Sequence, residues 1–183
     1  VNMLLTHPCA SALRNLTPHS WPGLAMIVGF TGSLALAPVR ADAAWTATMH
    51  RDPATRQSRC LLISETLTTS DGYDSTPVYL AMDGVSLQVV TESELDTSVN
   101  VLRLEVDTEP PVYSDQIIHK KMILVFDQDI PRLIEQFRGG QTVTVHLRFW
   151  PTWPVTQSFP IEFSLIGFSK AHESFTQGCR PAG

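Results

Sequence analysis

The feature that most constrains this chain is an apolar period of two. Val143, Val145, Leu147 and Phe149 alternate with Thr142, Thr144, His146 and Arg148. Successive strand side chains point to opposite faces, so this run is a strand with one buried and one wet face. Phe159, Ile161, Phe163 and Leu165 repeat the pattern, as do Leu102, Leu104 and Val106. Val78, Leu80 and Met82 are followed by Val85, Leu87 and Val89 across Asp83-Gly84, a dipeptide that favours a tight hairpin because glycine accepts positive φ. Arg59 to Ile63 and Met122 to Phe126 are apolar on both faces and are predicted to be central strands.

Two segments change to a helical period. Ile130, Leu133, Ile134 and Phe137 form the stripe of a helix laid on a core. Asp129 is its expected N-cap, Pro131 is tolerated in its first turn, and Gly139-Gly140 ends it. A second helix is expected from about Ser169 to Gln177, with Phe168, Ala171, His172 and Phe175 on one face and Cys179 one turn beyond. The expected fold is mainly β: a β-sandwich-like single domain of about seven to eight strands with two short helices.

Ahead of that domain the composition changes. Leu24 to Ala37 is an apolar run of the length of a signal-peptide core, and it is followed by Ala41-Asp42-Ala43, a small-x-small cleavage pattern. The run is short for a bilayer span, which takes about 20 residues. Residues 1–43 are therefore predicted to be a signal peptide cleaved near Ala43/Ala44, and residues 44–183 the β-rich domain. The competing reading is an uncleaved anchor from Trp21 to Val39. Cleavage implies a periplasmic or secreted protein with no membrane insertion afterwards.

Cysteine usage fits that compartment. Cys9 leaves with the leader, while Cys60 and Cys179 remain, 119 positions apart. Two cysteines in an oxidising compartment are read most economically as a disulfide, which would tie the helix end to a strand near the start of the domain. A pair of buried free thiols is the alternative. The net charge of −5 argues against a general nucleic-acid binder, which needs a basic face for phosphates, and against a polybasic membrane patch. No stretch of the text clusters basic residues strongly enough to propose a local one.

Reaction chemistry is not written in the motifs. The chain has no nucleophile elbow, P-loop, His-Glu-x-x-His or Cys-x-x-Cys, so no catalytic residue, metal site or cofactor is assigned. Asp127-Gln-Asp129 lacks the glycine and closing glutamate of a calcium loop. Asp71-Gly-Tyr-Asp74 reads as a turn. His50, His119, His146 and His172 lack ligand spacing, and His172 falls on the apolar stripe of the last helix. If strands 141–149 and 157–165 pair around their loop, His146 falls roughly opposite Glu162 with Arg148 beside them. Such a group is either acid/base machinery or ordinary cross-strand charge pairing. The loop Trp150-Pro-Thr-Trp153-Pro154 places two tryptophans between two prolines, either as a binding platform for a sugar, peptide or partner protein or as a plug closing one end of a sandwich.

The C-terminal part carries a resemblance. Gly139-Gly-Gln-Thr-Val-Thr-Val, then Phe163-Ser-Leu-Ile-Gly-Phe-Ser-Lys-Ala171, then Cys179, resembles the closing pattern of the invasion-associated locus B family and is similar to the related type VI secretion accessory proteins. It spans about residues 128–179. The resemblance implies an exported bacterial β-sandwich with no catalytic residues to carry over. The Trp-Pro loop and the single possible disulfide depart from that pattern. The expected function is a non-enzymatic accessory protein that binds a protein or other component of the cell envelope. The alternatives are an enzyme with a scattered site including His146 and Glu162, or a structural subunit of a surface assembly that uses exposed strand edges.

Overall fold

The computed structural model describes residues 43–51, 56–99, 101–151 and 157–179, all within the second of two compact units, residues 40–183. The leader expected over 1–43 lies outside the described residues except for Ala43. In chain order the elements are β1 (Trp45–Arg51), β2 (Ser58–Ser64), β3 (Leu67–Ser70), β4 (Ser75–Met82), β5 (Leu87–Thr91), β6 (Arg103–Val106), β7 (Val112–Tyr113), β8 (Ile117–Ile118) and β9 (Ile123–Phe126). They continue with α1 (Ile130–Gly139), β10 (Thr142–Leu147), β11 (Phe159–Ser164) and α2 (Phe168–Thr176).

Among the described residues the strands form two antiparallel sheets. The larger runs β1-β2-β4-β5-β9-β8, with β3 also paired to β4, and the smaller runs β11-β10-β6-β7. The expected mainly-β domain with two helices is what forms, with more strands than the seven to eight counted from periodicity. β7 and β8 have two residues each, and β3 offers one large apolar side chain, so none of them shows a period.

Alternation decides which residues go inside. Val143, Val145 and Leu147 face Phe163, Ile161 and Phe159 across one pairing, and Val143 and Val145 face Val106 and Leu104 across the other. From the larger sheet, Leu62, Val78, Leu80, Met82, Leu87, Val89, Leu124 and Phe126 point into the same core. Each fully buried aliphatic or aromatic side chain contributes roughly 1.5–3 kcal/mol. The Asp83-Gly84 turn forms as expected, with Gly84 at φ 90° and the Asp83 carboxylate accepting the N–H groups of Val85 and Ser86. Val85 belongs to the turn rather than to the strand and is 73% exposed, so the inward alternation resumes at Leu87.

The helices close an end of the core. Ile130, Leu133 and Phe137 of α1 and Phe168 and Ala171 of α2 are buried. Trp45, Phe137 and Phe168 meet edge to face, with centroids 5.0–5.8 Å apart. The Trp45 indole N–H donates to the Ser164 carbonyl at 2.8 Å. Asp129 does sit at the N-cap of α1 but makes no side-chain capping bond. Its backbone is left-handed (φ 49°, ψ 44°), which departs from the extended geometry of a capping residue. Gly140 follows α1 in an extended conformation, and it is required for space. A Cβ there would lie 2.8 Å from Val106 Cγ1 and 2.9 Å from the Gln136 carbonyl oxygen. The Cys60–Cys179 disulfide joins β2 to the chain just past α2, with Cα atoms 5.6 Å apart.

Candidate functional site

The strands that are apolar on both faces hold the most informative surface. In β2, β4, β5 and β9 one face enters the core, and the other carries Leu61, Ile63, Tyr79, Val90 and Ile123. Register sets Tyr79, Val90 and Ile123 in one cross-strand row, with Ile63 in the next row opposite Ala81, which in turn lies opposite Gln88. An antiparallel sheet normally turns polar side chains to water on its second face. Here that face holds two adjoining shallow concavities of about 290 and 650 Å³ that share Tyr79, Val90 and Ile123. This uncovered apolar surface, bordered by Gln88, Glu92, His119 and Asp83, makes the face a candidate contact site. Both-face apolarity was visible in the sequence for Arg59 to Ile63 and Met122 to Phe126, and correctly placed them inside a sheet. It did not reveal that one of the two faces has no described layer over it.

His146 and Glu162 are not brought together as the sequence reading had them. In the β10–β11 pairing His146 lies opposite Pro160, and Glu162 lies opposite Thr144. The charge partners of His146 come instead from its other neighbour, β6, where Arg103 is directly opposite. Arg103 Nε contacts Glu105 Oε1 at 2.7 Å, and His146 Nε2 lies 3.6 Å from Glu105 Oε2. That pairing joins segments some forty residues apart in sequence, which the local pattern cannot indicate. Arg148 lies past the end of β10 and donates to buried Asp96 at 3.0 Å.

Burial holds the His146 imidazole below its ordinary pKa, and the Arg103 charge adds to this, against a weaker opposing pull from Glu105. Glu105 is held low chiefly by the Arg103 hydrogen bond. Burial pushes Asp96 upward, but bonds from the Ser98 N–H and hydroxyl, together with Arg148, outweigh it and hold the carboxyl low. The five concavities at residues 97–115, 112–128, 106–140, 66–123 and 50–123 are lined by other residues than His146.

The remaining sequence candidates separate clearly. Trp150 is 55% exposed, and its backbone N–H donates to the Glu94 carbonyl at 2.7 Å. Trp45, Phe137 and Phe168 fill a closing position in the core, and the sequence reading did not single out Trp45. Trp153 lies outside the described residues. Asp71 is a turn residue: its Oδ1 accepts from the Tyr73 and Asp74 N–H groups and its Oδ2 from the Ser93 hydroxyl. His172 stacks on Phe168 at 5.8 Å, and burial lowers its pKa. Among the described residues no cluster of three or more His, Cys, Asp or Glu side chains could hold a metal ion.

No protein-family profile matches the chain, and no curated protein matches it. Among solved structures it is similar to invasion associated protein B from Bartonella henselae, with a TM-score of 0.47 and 13% identity. That match covers 74% of this chain and 93% of the other. At that level the comparison is a weak structural relationship and assigns no role.

Proposed function

We propose that this chain is a non-enzymatic, exported binding protein that holds a cell-envelope component against the apolar outer face of its seven-stranded sheet. The observation that carries this reading is the apolar set on that face, a cross-strand row of Tyr79, Val90 and Ile123 with Ile63 diagonal to Tyr79, which points away from the core in a pair of adjoining concavities. The Cys60–Cys179 disulfide supports an oxidising compartment, periplasmic or extracellular. The leader reading of residues 1–43 supplies the route there.

Ile63→Asp tests the surface. A carboxylate at the centre of an apolar contact costs binding heavily, because it must be desolvated without a partner. At a half-exposed outer position it reaches water, so stability should fall by no more than about 1 kcal/mol. Loss of envelope-component capture by a folded variant supports the reading, and undiminished capture refutes it. A second contact is favoured by one specific observation, the exposed ring of Trp150 at the end of the smaller sheet, with Trp153 as its sequence neighbour.

A further inference from the structure

Most strand edges in this fold are short or blunted. β7 and β8 have two residues each. β3 has four and lies beside β11. Where β10 meets β11, the Leu165 N–H donates to the Gln141 carbonyl, so the alternation of an antiparallel ladder turns the backbone of Pro160, Glu162 and Ser164 to the open side. Pro160 has no N–H to offer there, and the Ser164 carbonyl already accepts from the Trp45 indole at 2.8 Å.

β1 is the exception. It has seven residues and no proline, and it ends the larger sheet with no described strand on its outer side. The Glu65 N–H donates to the Ala44 carbonyl at 2.7 Å, which fixes the phase of the β1–β2 ladder. Thr46, Thr48 and His50 therefore turn their backbone groups to β2, whereas Ala47 and Met49 turn theirs outward. Trp45 is buried, so the open edge begins at Thr46. That edge carries Met49, an apolar side chain 52% exposed. Its basic end, His50 and Arg51, lies at the opposite end of the hairpin from exposed Glu65. An edge with no proline, charge or bulge in its middle is a template for another strand.

We propose that β1 pairs antiparallel with β1 of a second copy about a twofold axis through Thr48, joining the two larger sheets into one. In this register Ala47 lies opposite the second copy's Met49, and each such pair exchanges both backbone bonds. Thr48 meets its own counterpart, and Thr46 meets His50, so no like charges stand opposite each other. The basic end of each strand runs toward the end of the other hairpin that carries Glu65. Centring the pair on Met49 instead would draw the His50 and Arg51 side chains of both copies together, and centring it on Ala47 would push Met49 over buried Trp45. The twofold axis stands normal to the sheet, so the apolar outer faces of both copies point the same way. The inference stands on the strand edge and does not depend on what that face binds.

Sedimentation of the oxidised chain across a dilution series tests the pairing, and a dimer is expected. Met49→Pro removes an outward N–H that β2 does not use, once in each copy; losing both bonds should weaken the dimer about tenfold or more and leave the circular dichroism unchanged. If that variant is unfolded, Thr48→Lys takes its place, because two ammonium groups set directly opposite each other should also favour the monomer. Thr48→Cys tests the register. Opposed residues that share no backbone bonds have Cα atoms about 4.5 Å apart, within disulfide reach, so this variant should form a covalent dimer. Thr46→Cys and His50→Cys should crosslink only when mixed with each other. A monomer at every concentration, a dimer that the folded edge variants leave unchanged, or a dimer in which Thr48→Cys fails to crosslink overturns the proposal. Capture of an extended segment of another protein along β1 by a chain that stays monomeric overturns it as well.

Discussion

Replacing Cys60 and Cys179 together by alanine opens a loop of 119 residues in the unfolded chain. Loop-closure entropy for that length corresponds to about 5 kcal/mol at 25 °C, and measured losses for native disulfides run from about 2 to 5 kcal/mol. The native state should change little. Phe168 and Ala171 remain buried, Phe168 still packs edge to face on Trp45 and Phe137, and Phe175 stays against the core. The loss therefore belongs mainly to the unfolded ensemble, which expands without the cross-link. Urea unfolding separates the two contributions: the midpoint should fall and the m-value should rise, because m follows the surface exposed on unfolding. The reduced wild type should behave like the double variant. A loss below about 1 kcal/mol with an unchanged m-value would refute the reasoning, since neither a constrained unfolded state nor a clamped helix could then be at work.

Other substitutions give similarly definite outcomes. Trp150→Ala should leave stability within about 0.5 kcal/mol, as for an exposed side chain; a loss of about 3–5 kcal/mol on thermal melting would mean that the ring is buried in solution. Gly140→Ala should destabilise by about 1–3 kcal/mol, because its Cβ meets Val106 and the Gln136 carbonyl; a neutral effect would show that the α1–β10 junction relaxes freely. His146 has a lowered pKa in the folded state, so its contribution is complete above its unfolded value of about 6.5 and is lost as pH falls through the folded value. His146→Gln should make the stability profile shallower between pH 7 and 5, with the lowered His172 supplying the slope that remains. An unchanged slope in denaturant midpoints across that range would contradict the assignment.

Most of the fold was legible because the core strands obey the period of two. Val143 to Phe149, Phe159 to Leu165 and Leu102 to Val106 place their apolar members inside, and the stripe of Ile130, Leu133 and Phe137 packs as a helix should. What failed depends on non-local geometry. The register of β10 against β6 decides that His146 meets Arg103 and Glu105, and nothing near residue 146 in the sequence encodes it. Trp45 stands alone in its stretch of the chain, so its place in the aromatic cluster came only from tertiary packing. Asp129 illustrates a local conflict, in which a favoured capping residue adopts a left-handed backbone and caps nothing. The outer face of the larger sheet was half legible: the apolar residues were recognised, but periodicity could not say whether a second layer covers them.

Site-specific photocrosslinking in the native cell tests the central claim most directly. A benzophenone side chain placed at Ile63 or at Val90 lies on the proposed contact face, whereas one at Glu162 lies on the outer face of the other sheet. The account predicts adducts to an envelope component from the first two positions and none from Glu162. Adducts from Glu162 with none from Ile63 and Val90 would contradict it.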